Sequence, residues 1–244
     1  MKMISLCIPT FNRVEMVLES FSNVLDDDRI SEIIISDDCS DIDIYNDLVN
    51  LLSEIDSSKI KIFRNEANTG SFYNKLESVK KASNDWIILL DSDNQIIIDY
   101  LDSIPNELDV NMMYIPSHAI CNSPNLNYTK YSSRIFNKDE YKILSKSSDV
   151  QTICMLNTGN YFFNKNTYLK SISMESNIIN SYALDAYYMI YLLYKNIIDF
   201  RLNVVNGMKY HHHLHNDNGN SHYMKNAGDS SRVSIEINKM IDLI

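Results

Sequence analysis

Glycine and proline are scarce in this chain of 244 residues, at five and four copies, and tryptophan occurs once. With Asn, Ile and Tyr abundant, that scarcity reads as compositional bias and carries no chemistry. Cysteine is little used: Cys7, Cys39, Cys121 and Cys154 are scattered with no C-x-x-C pair. The pattern fits reduced thiols in a cytoplasmic protein better than disulfides or a zinc site. No run reaches the roughly 18 apolar residues of a membrane span. The apolar start is cut off by Pro9 and Asn12, unlike a signal peptide. Positive charge is also short, with 22 Lys and Arg against 32 Asp and Glu and a net charge of −10. Such a surface does not grip nucleic acid by bulk electrostatics. A phosphorylated small molecule stays admissible, because a bound divalent cation reverses the local sign. No repeat, linker or low-complexity tail is present, and 45% hydrophobic content is ordinary for a globular chain. A single domain over residues 1–244 is the simplest expectation, with a homo-oligomer left open.

Strand and helix patterns alternate through the first hundred residues. Strands are predicted at Met3–Ile8, Glu32–Ile35, Lys59–Phe63 and Trp86–Leu90. A helix between the first two carries Val14, Val17, Leu18 and Phe21. A second, capped by Asp43, carries Leu48, Leu51 and Leu52, and a third over 71–83 turns Phe72, Leu76, Val79 and Ala82 inward. This order predicts an α/β fold with a largely parallel sheet covered by helices. Further along, a strand is expected over Val110–Ile115, a polar loop over 117–137 and a short helix over Asp139–Leu144. A strand-like stretch follows over Cys154–Phe163, then an apolar helix over Tyr182–Tyr194, a His-rich loop and a helix from about Ser230.

The segment Trp86–Asn94, W-I-I-L-L-D-S-D-N, ends an apolar run in two carboxylates spaced i, i+2. Ligands of open α/β sheets bind at the carboxyl ends of strands, so acids there suit a cation and a phosphorylated ligand. Two acids after a strand are a weak signal alone. Here Asp37 and Asp38 close a second strand and Thr10–Arg13 a first, so three strand ends bring acids, a hydroxyl and an aromatic to one rim.

These motifs resemble glycosyltransferase family 2, of the GT-A fold: Ile8–Arg13 (I-P-T-F-N-R), Ser36–Asp41 (S-D-D-C-S-D), Asn68-Thr-Gly70 with Asn74, and Leu89–Asn94 (L-L-D-S-D-N) stand in the usual order and spacing. The resemblance covers about residues 3–100, and 155–223 more loosely. It implies a mostly parallel central sheet flanked by helices. A Rossmann-like nucleotide-binding half (1–100) would join an acceptor half (101–205), followed by the His-rich loop and C-terminal helix (206–244). It implies an inverting, hexosyltransferase-type enzyme that moves a sugar from a nucleotide-diphosphate donor, a UDP-sugar by family habit, to a hydroxyl acceptor on a glycan, lipid or protein.

By the same resemblance, Thr10 and Phe11 line the nucleobase pocket, Asp38 accepts a hydrogen bond from the base and Asp91 holds the ribose or base side. Pro9, Arg13, Asn68, Gly70, Asn74 and Ser92 complete the donor-binding set. Asp93 would bind Mn²⁺ or Mg²⁺, hard cations that take oxygen ligands and offset charge on the leaving diphosphate. Asn94 stands where many relatives carry a third acid, and brings an amide oxygen without charge. Tyr73 stands where relatives commonly carry Arg; Lys75 is a substitute, or an exposed helix lysine.

An inverting transfer needs a base to take the acceptor's proton. Asp185 is the only acid between Glu175 and Asp199 and sits among apolar neighbours, where it should have a raised pKa or a firm partner. Relatives place an acidic pair here; Leu184 replaces its first member. The alternative is an acid on the solvent side of an amphipathic helix. The cluster Lys209–His215 has three readings: a soft-ligand Zn²⁺ or Ni²⁺ site, an exposed polar loop, or the segment that in related glycosyltransferases folds over the nucleotide. The third makes His215, then His212, site residues, with His211 and His213 outward. Asn157–Asn160 resembles the segment facing the donor sugar and acceptor, which adds Asn160. A nucleotidyltransferase is disfavoured because Pro9–Arg13 lacks glycine. A zinc hydrolase lacks the H-E-x-x-H pattern, and a non-catalytic nucleotide-sugar-binding protein remains the alternative to the enzyme.

Overall fold

The strands of the first half are apolar on both sides, and both sides are covered. In the computed structural model, which describes residues 2–179, 184–213 and 227–244, four parallel strands come first. They are β1 (Ile4–Thr10), β2 (Ile30–Asp37), the half-buried β3 (Ile60–Arg64) and β4 (Trp86–Leu89). Leu6, Ile8, Ile33, Ile35 and Ile88 enter one core with Val17 and Phe21 of α1 (Glu15–Phe21) and Leu48 and Leu52 of α2 (Ile42–Ser53). Cys7, Ile34, Ile87 and Leu89 enter the other, against Phe72, Leu76 and Val79 of α3 (Ser71–Lys81). Alternation within a continuously apolar run is what a parallel sheet buried on both faces requires. Helix α2 begins after Asp41, not at a cap on Asp43, which lies inside the first turn; an acid is favourable there next to the unpaired N–H groups.

The second half continues with β5 (Asn94–Gln95), α4 (Ile98–Asp102), β6 (Met112–Ile120), β7 (Ile135–Phe136), α5 (Lys138–Ser145) and α6 (Val150–Leu156). Then come β8 (Tyr161–Asn164), α7 (Lys165–Ser173), α8 (Asp185–Asn196), β9 (Arg201–His212) and a last helix, α9 (Ala227–Met240). The strands of the described residues form one sheet in the order β3-β2-β1-β4-β8-β6-β9-β5, with β7 also on β9. Strand β8 runs antiparallel to both β4 and β6, and so joins the parallel β1–β4 block to the parallel β6–β9 pair.

Three expectations need correction. The strand-like stretch 154–163 is helix α6 followed by β8. The stretch took in only the last three residues of α6, whose start is fixed upstream, where Asp149 caps it by accepting the Thr152 N–H. Strand β6 runs on to Ile120, which shortens the polar loop expected over 117–137. His211 and His212 belong to β9, registered opposite Gln95 and Asn94, and not to a loop.

Helix α8 starts at Asp185, preceded by Leu184 with a left-handed φ of 57°. Tyr182 and Ala183 lie outside the described residues. Every residue from Ala186 to Tyr194 is buried, so this helix has no solvent face on which an acid would be idle. No helix among the described residues is long and apolar enough to cross a membrane.

Candidate active site

Parallel pairing of β1 with β2 and β4 puts three strand ends on one edge: Thr10 registers with Asp37, and Cys7 with Leu89 two residues before Asp91. A cleft of about 220 Å³ opens there. Its walls contain Pro9, Thr10, Phe11, Arg13, Asp38, Asn68, Gly70, Asn74, Asp91 and Ser92, the whole donor-binding set read from the sequence. Asp93 and Asp185 line it too. Lys75, which one sequence reading offered in place of the relatives' Arg, also lines it, as does Ser71, which the sequence did not single out.

The β1–β2 wall is fixed by buried polar groups. Asn74 donates to the carbonyls of Ser36, at 2.9 Å, and Thr10, at 3.2 Å, tying two strand ends to α3. Asp38 holds the loop before α3: its Oδ1 accepts from Asn65 Nδ2, Thr69 N and Thr69 Oγ1, and its Oδ2 from Gly70 N at 2.8 Å. A carboxylate has about four acceptor positions, two on each oxygen. Among the described residues Oδ2 accepts this one bond, from Gly70 N, and Asp38 lines the cleft. Thr10 Oγ1 is buried on this wall without a hydrogen-bond partner, a polar atom left for a ligand to satisfy.

On the opposite wall, Arg13 spans the D-S-D turn. It donates to Ser92 Oγ at 2.9 Å and pairs with Asp93 Oδ2 at 2.8 Å. Asp91 points the other way and pairs with Lys75 Nζ at 2.7 Å, and the same ammonium pairs with Asp185 Oδ2 at 2.6 Å. Lys75 is not the exposed helix lysine of one sequence reading: its side chain is 7% exposed, and that of Asp185 12%. Burial works against the Lys75 charge, but Asp185 and Asp91 outweigh it and hold its pKa above that of a free lysine. Asp91 is pushed up by burial and by the like charges of Asp185 and Asp93, against the pull of Lys75. Asp185 thus has the firm partner expected of an acid among apolar neighbours.

Lys75 had a signal. It lies three residues after Phe72 and four before Val79, on the inward stripe of α3, where a cation needs carboxylates to be buried.

Gly159 closes this arrangement from behind. Its φ is +73°, and a Cβ built there would collide with Asp91 Oδ2 and lie 3.0 Å from Asp91 Cγ and 3.1 Å from Lys75 Nζ. Only a residue without a side chain lets the backbone pass so close.

Asn160 and Asn94 do not line the cleft. They brace the turn from beneath: Asn160 Oδ1 accepts from the Asp91 N–H at 3.1 Å and from Asn94 Nδ2 at 3.4 Å. Asn94, at 2% exposed, is a buried bracing residue where a third acid was the family's pattern. His212 is half-buried beside this turn, its strand registered on Asn94. His211 is also half-buried, while His213 is exposed. His215 lies outside the described residues. Among those residues no cluster of three His, Cys, Asp or Glu side chains is arranged to hold a metal.

Comparison with known proteins identifies the family and the fold. Residues 5–167 match the family described as Glycosyl transferase family 2. The chain superposes on the Staphylococcus aureus protein TarS (residues 1–349, in complex with UDP-GlcNAc) with a TM-score of 0.72 and 16% identity, over 100% of this chain and 66% of that one. Superposition on GalNAc-T7, crystallised with UDP, GalNAc and Mn²⁺, gives a TM-score of 0.67 and 12% identity over 91% and 46%. Both are GT-A glycosyltransferases, so the fold is GT-A. Among curated sequences, a mouse (Mus musculus) protein named inactive polypeptide N-acetylgalactosaminyltransferase-like protein 5 is 28% identical over 120 residues. That match spans 48% of this chain and 28% of the relative's length.

Proposed function

The chain belongs to glycosyltransferase family 2, and on that premise we propose that it is an inverting, hexosyltransferase-type enzyme. It transfers a sugar from a UDP-sugar to a hydroxyl acceptor, with residues 1–100 forming the nucleotide-binding half. The observation that carries the proposal is the meeting of Asp185, from far along the chain, with the strand-end acids in one cleft. UDP-GlcNAc bound to TarS, and UDP with Mn²⁺ in GalNAc-T7, support the donor class.

In this reading Thr10, Phe11 and Asp38 receive the nucleobase, through the unpartnered Thr10 hydroxyl, the half-buried ring and the Asp38 carboxylate. Asp91 and Ser92 face the ribose and diphosphate, with Arg13 placed to donate to phosphate oxygens.

The charge of the cleft fits a divalent cation. Among the described lining residues, Asp38, Asp91, Asp93 and Asp185 face only Arg13 and Lys75, so an incoming diphosphate would meet an excess of negative charge. Mn²⁺ or Mg²⁺ commonly takes one or two carboxylates plus phosphate oxygens, so Asp93 would hold it without a larger cluster, with His215 and then His212 added by the family resemblance. When bound, it supplies Lewis-acid stabilisation of the leaving diphosphate.

The acceptor oxygen bonds to the anomeric carbon as the carbon–diphosphate bond breaks, and its proton passes to Asp185. Orientation in the cleft contributes by replacing a bimolecular encounter.

The test is turnover of a UDP-sugar panel, UDP-GlcNAc included, with Mn²⁺ by wild type and Asp185→Asn. The expected result is at least a hundredfold loss in Asp185→Asn with UDP binding retained in a thermal shift. Equal turnover by the two proteins removes Asp185 as base. A second reading, a nucleotide-sugar binder without turnover, is favoured by the buried Asn94 at the third-acid position and by Leu184 in place of the paired acid. Donor binding with no wild-type turnover across donors and acceptors would select it.

A further inference from the structure

A general base must be ionised before it can accept a proton. Asp185 shares the cleft with two other carboxylates, Asp91 and, further along the turn, Asp93. Among the described residues, the charged and titratable groups around Asp185 are few. Lys75 comes from α3 and Asp91 from the end of β4, while the phenols of Tyr161 on β8 and Tyr168 on α7 lie beneath. Burial pushes both phenols far above the ordinary tyrosine range, so they are neutral and offset no charge. Lys75 is therefore the only cation among the described groups that acts on Asp185 at contact distance.

We propose that Lys75 is a positioning residue that keeps Asp185 ionised and aimed into the cleft, with Asp91 as the counter-charge that holds Lys75 in place; this rests on the reading of Asp185 as the base.

The bridge has two arms for a physical reason. When Asp185 takes a proton from the acceptor it becomes neutral, and a lysine paired with it alone would be left buried and uncompensated. The 2.7 Å contact with Asp91 remains through that change, so the ammonium stays paired in both protonation states. The backbone at Gly159 packs against Asp91 and Lys75 too closely for a side chain, which limits where the ammonium can go. The arrangement is thus preformed, and the base needs no donor to orient it.

The test has two parts. In the first, ¹³C-carboxyl NMR follows Asp185 in the wild-type protein without donor, its signal assigned by its loss in Asp185→Asn. The same titration of Lys75→Met is expected to show a midpoint at least one pH unit above that of wild type; an unmoved midpoint overturns the proposal whatever the activity does. In the second, kcat is measured against pH for Lys75→Met and Lys75→Arg with a UDP-sugar and Mn²⁺.

Lys75→Met is expected to move the acid limb of kcat up by at least one pH unit, which is a tenfold loss on that limb. The donor KM should change less than threefold. Lys75→Arg, which keeps the charge, should leave the limb within half a unit of wild type. A lower kcat with an unmoved limb, or a raised donor KM with unchanged kcat, would show a structural or donor-contact role and refute the proposal. If Asp185→Asn turns over like wild type, the underlying reading of Asp185 fails instead. A wild type without turnover leaves the NMR titration to decide.

Discussion

Gly159→Ala is the perturbation for which the structure gives the most explicit arithmetic. Alanine at a φ of +73° carries the left-handed penalty of about 1–2 kcal/mol. The new methyl also needs the space of the Asp91 carboxylate, which is clamped to Lys75 at 2.7 Å. At an effective dielectric of about 20, lengthening that contact by about 1 Å costs roughly 1.5 kcal/mol. Together these come to about 3 kcal/mol, or a fall in Tm of roughly 6–12 °C for a chain of this size.

Gly207→Ala supplies the control. Its φ is +81°, but the nearest atom to its added Cβ is Ser103 Oγ at 3.4 Å, so it carries backbone strain alone. Thermal and urea melts of the two variants, with UDP titrations of each, separate the terms. Gly159→Ala should lose about 1.5 kcal/mol more than Gly207→Ala and also weaken UDP binding. Equal losses, with UDP binding intact in both, would show that Asp91 and Lys75 yield freely and that the close approach has no energetic weight.

Two further substitutions probe polar groups away from Lys75. Glu32 is buried, and although burial raises its pKa, bonds from Lys61, Ser5 and Ser83 outweigh this and bring it to about 2. A depressed carboxyl contributes stability above its unfolded pKa and loses it as pH falls, here between about 4.5 and 2. Glu32→Gln should therefore cost roughly 3 kcal/mol at pH 7 and flatten the acid side of the stability curve, whereas parallel urea-melt series for the two proteins would contradict this. Asn94→Asp would restore the third acid of the family pattern, but at a site 2% exposed where the amide oxygen already lacks a partner. A loss of about 1–3 kcal/mol that grows as pH rises from 4 is expected, because the new carboxyl must ionise in a buried position. Higher Mn²⁺ affinity with unchanged Tm would refute that reasoning.

The first-half fold and the donor-side wall were legible because strand ends in a parallel sheet must share an edge. Once the apolar runs were placed, Thr10, Asp38 and Asp91 had to lie together. Asp185 was legible as a lone acid in an apolar helix, but its partner was not. Lys75 lies on the inward stripe of α3 with Phe72 and Val79, which marks it as needing carboxylates, but those that neutralise it come from 16 and 110 residues away and its sequence neighbours do not name them. Helix α6 was misread because the strand-like stretch 154–163 took in only its last three residues, Cys154–Leu156, while its deciding feature is one capping carboxylate upstream at Asp149. Asn94 was misjudged for a similar reason: register with His212 and contact with Asn160 turn it inward, and neither can be seen from its neighbours in sequence.

Strand β8 has a consequence for the order in which the chain becomes structured during synthesis. The inner edge of the first parallel block is β4, and its partner on that side is four residues of a strand that follows roughly 70 residues later. At about 5–20 residues per second, β4 waits some 4–14 s on the ribosome with the edge that β8 will cover still bare. During that interval Trp86 lacks Phe162, against which it later stacks at 5.2 Å, and the backbone groups of Trp86–Leu89 lack their antiparallel partners. An apolar strand edge left bare invites pairing with another chain. The nascent first half is thus the stage at which this edge is open to pairing with another chain, and Tyr161–Asn164 is the segment that closes it.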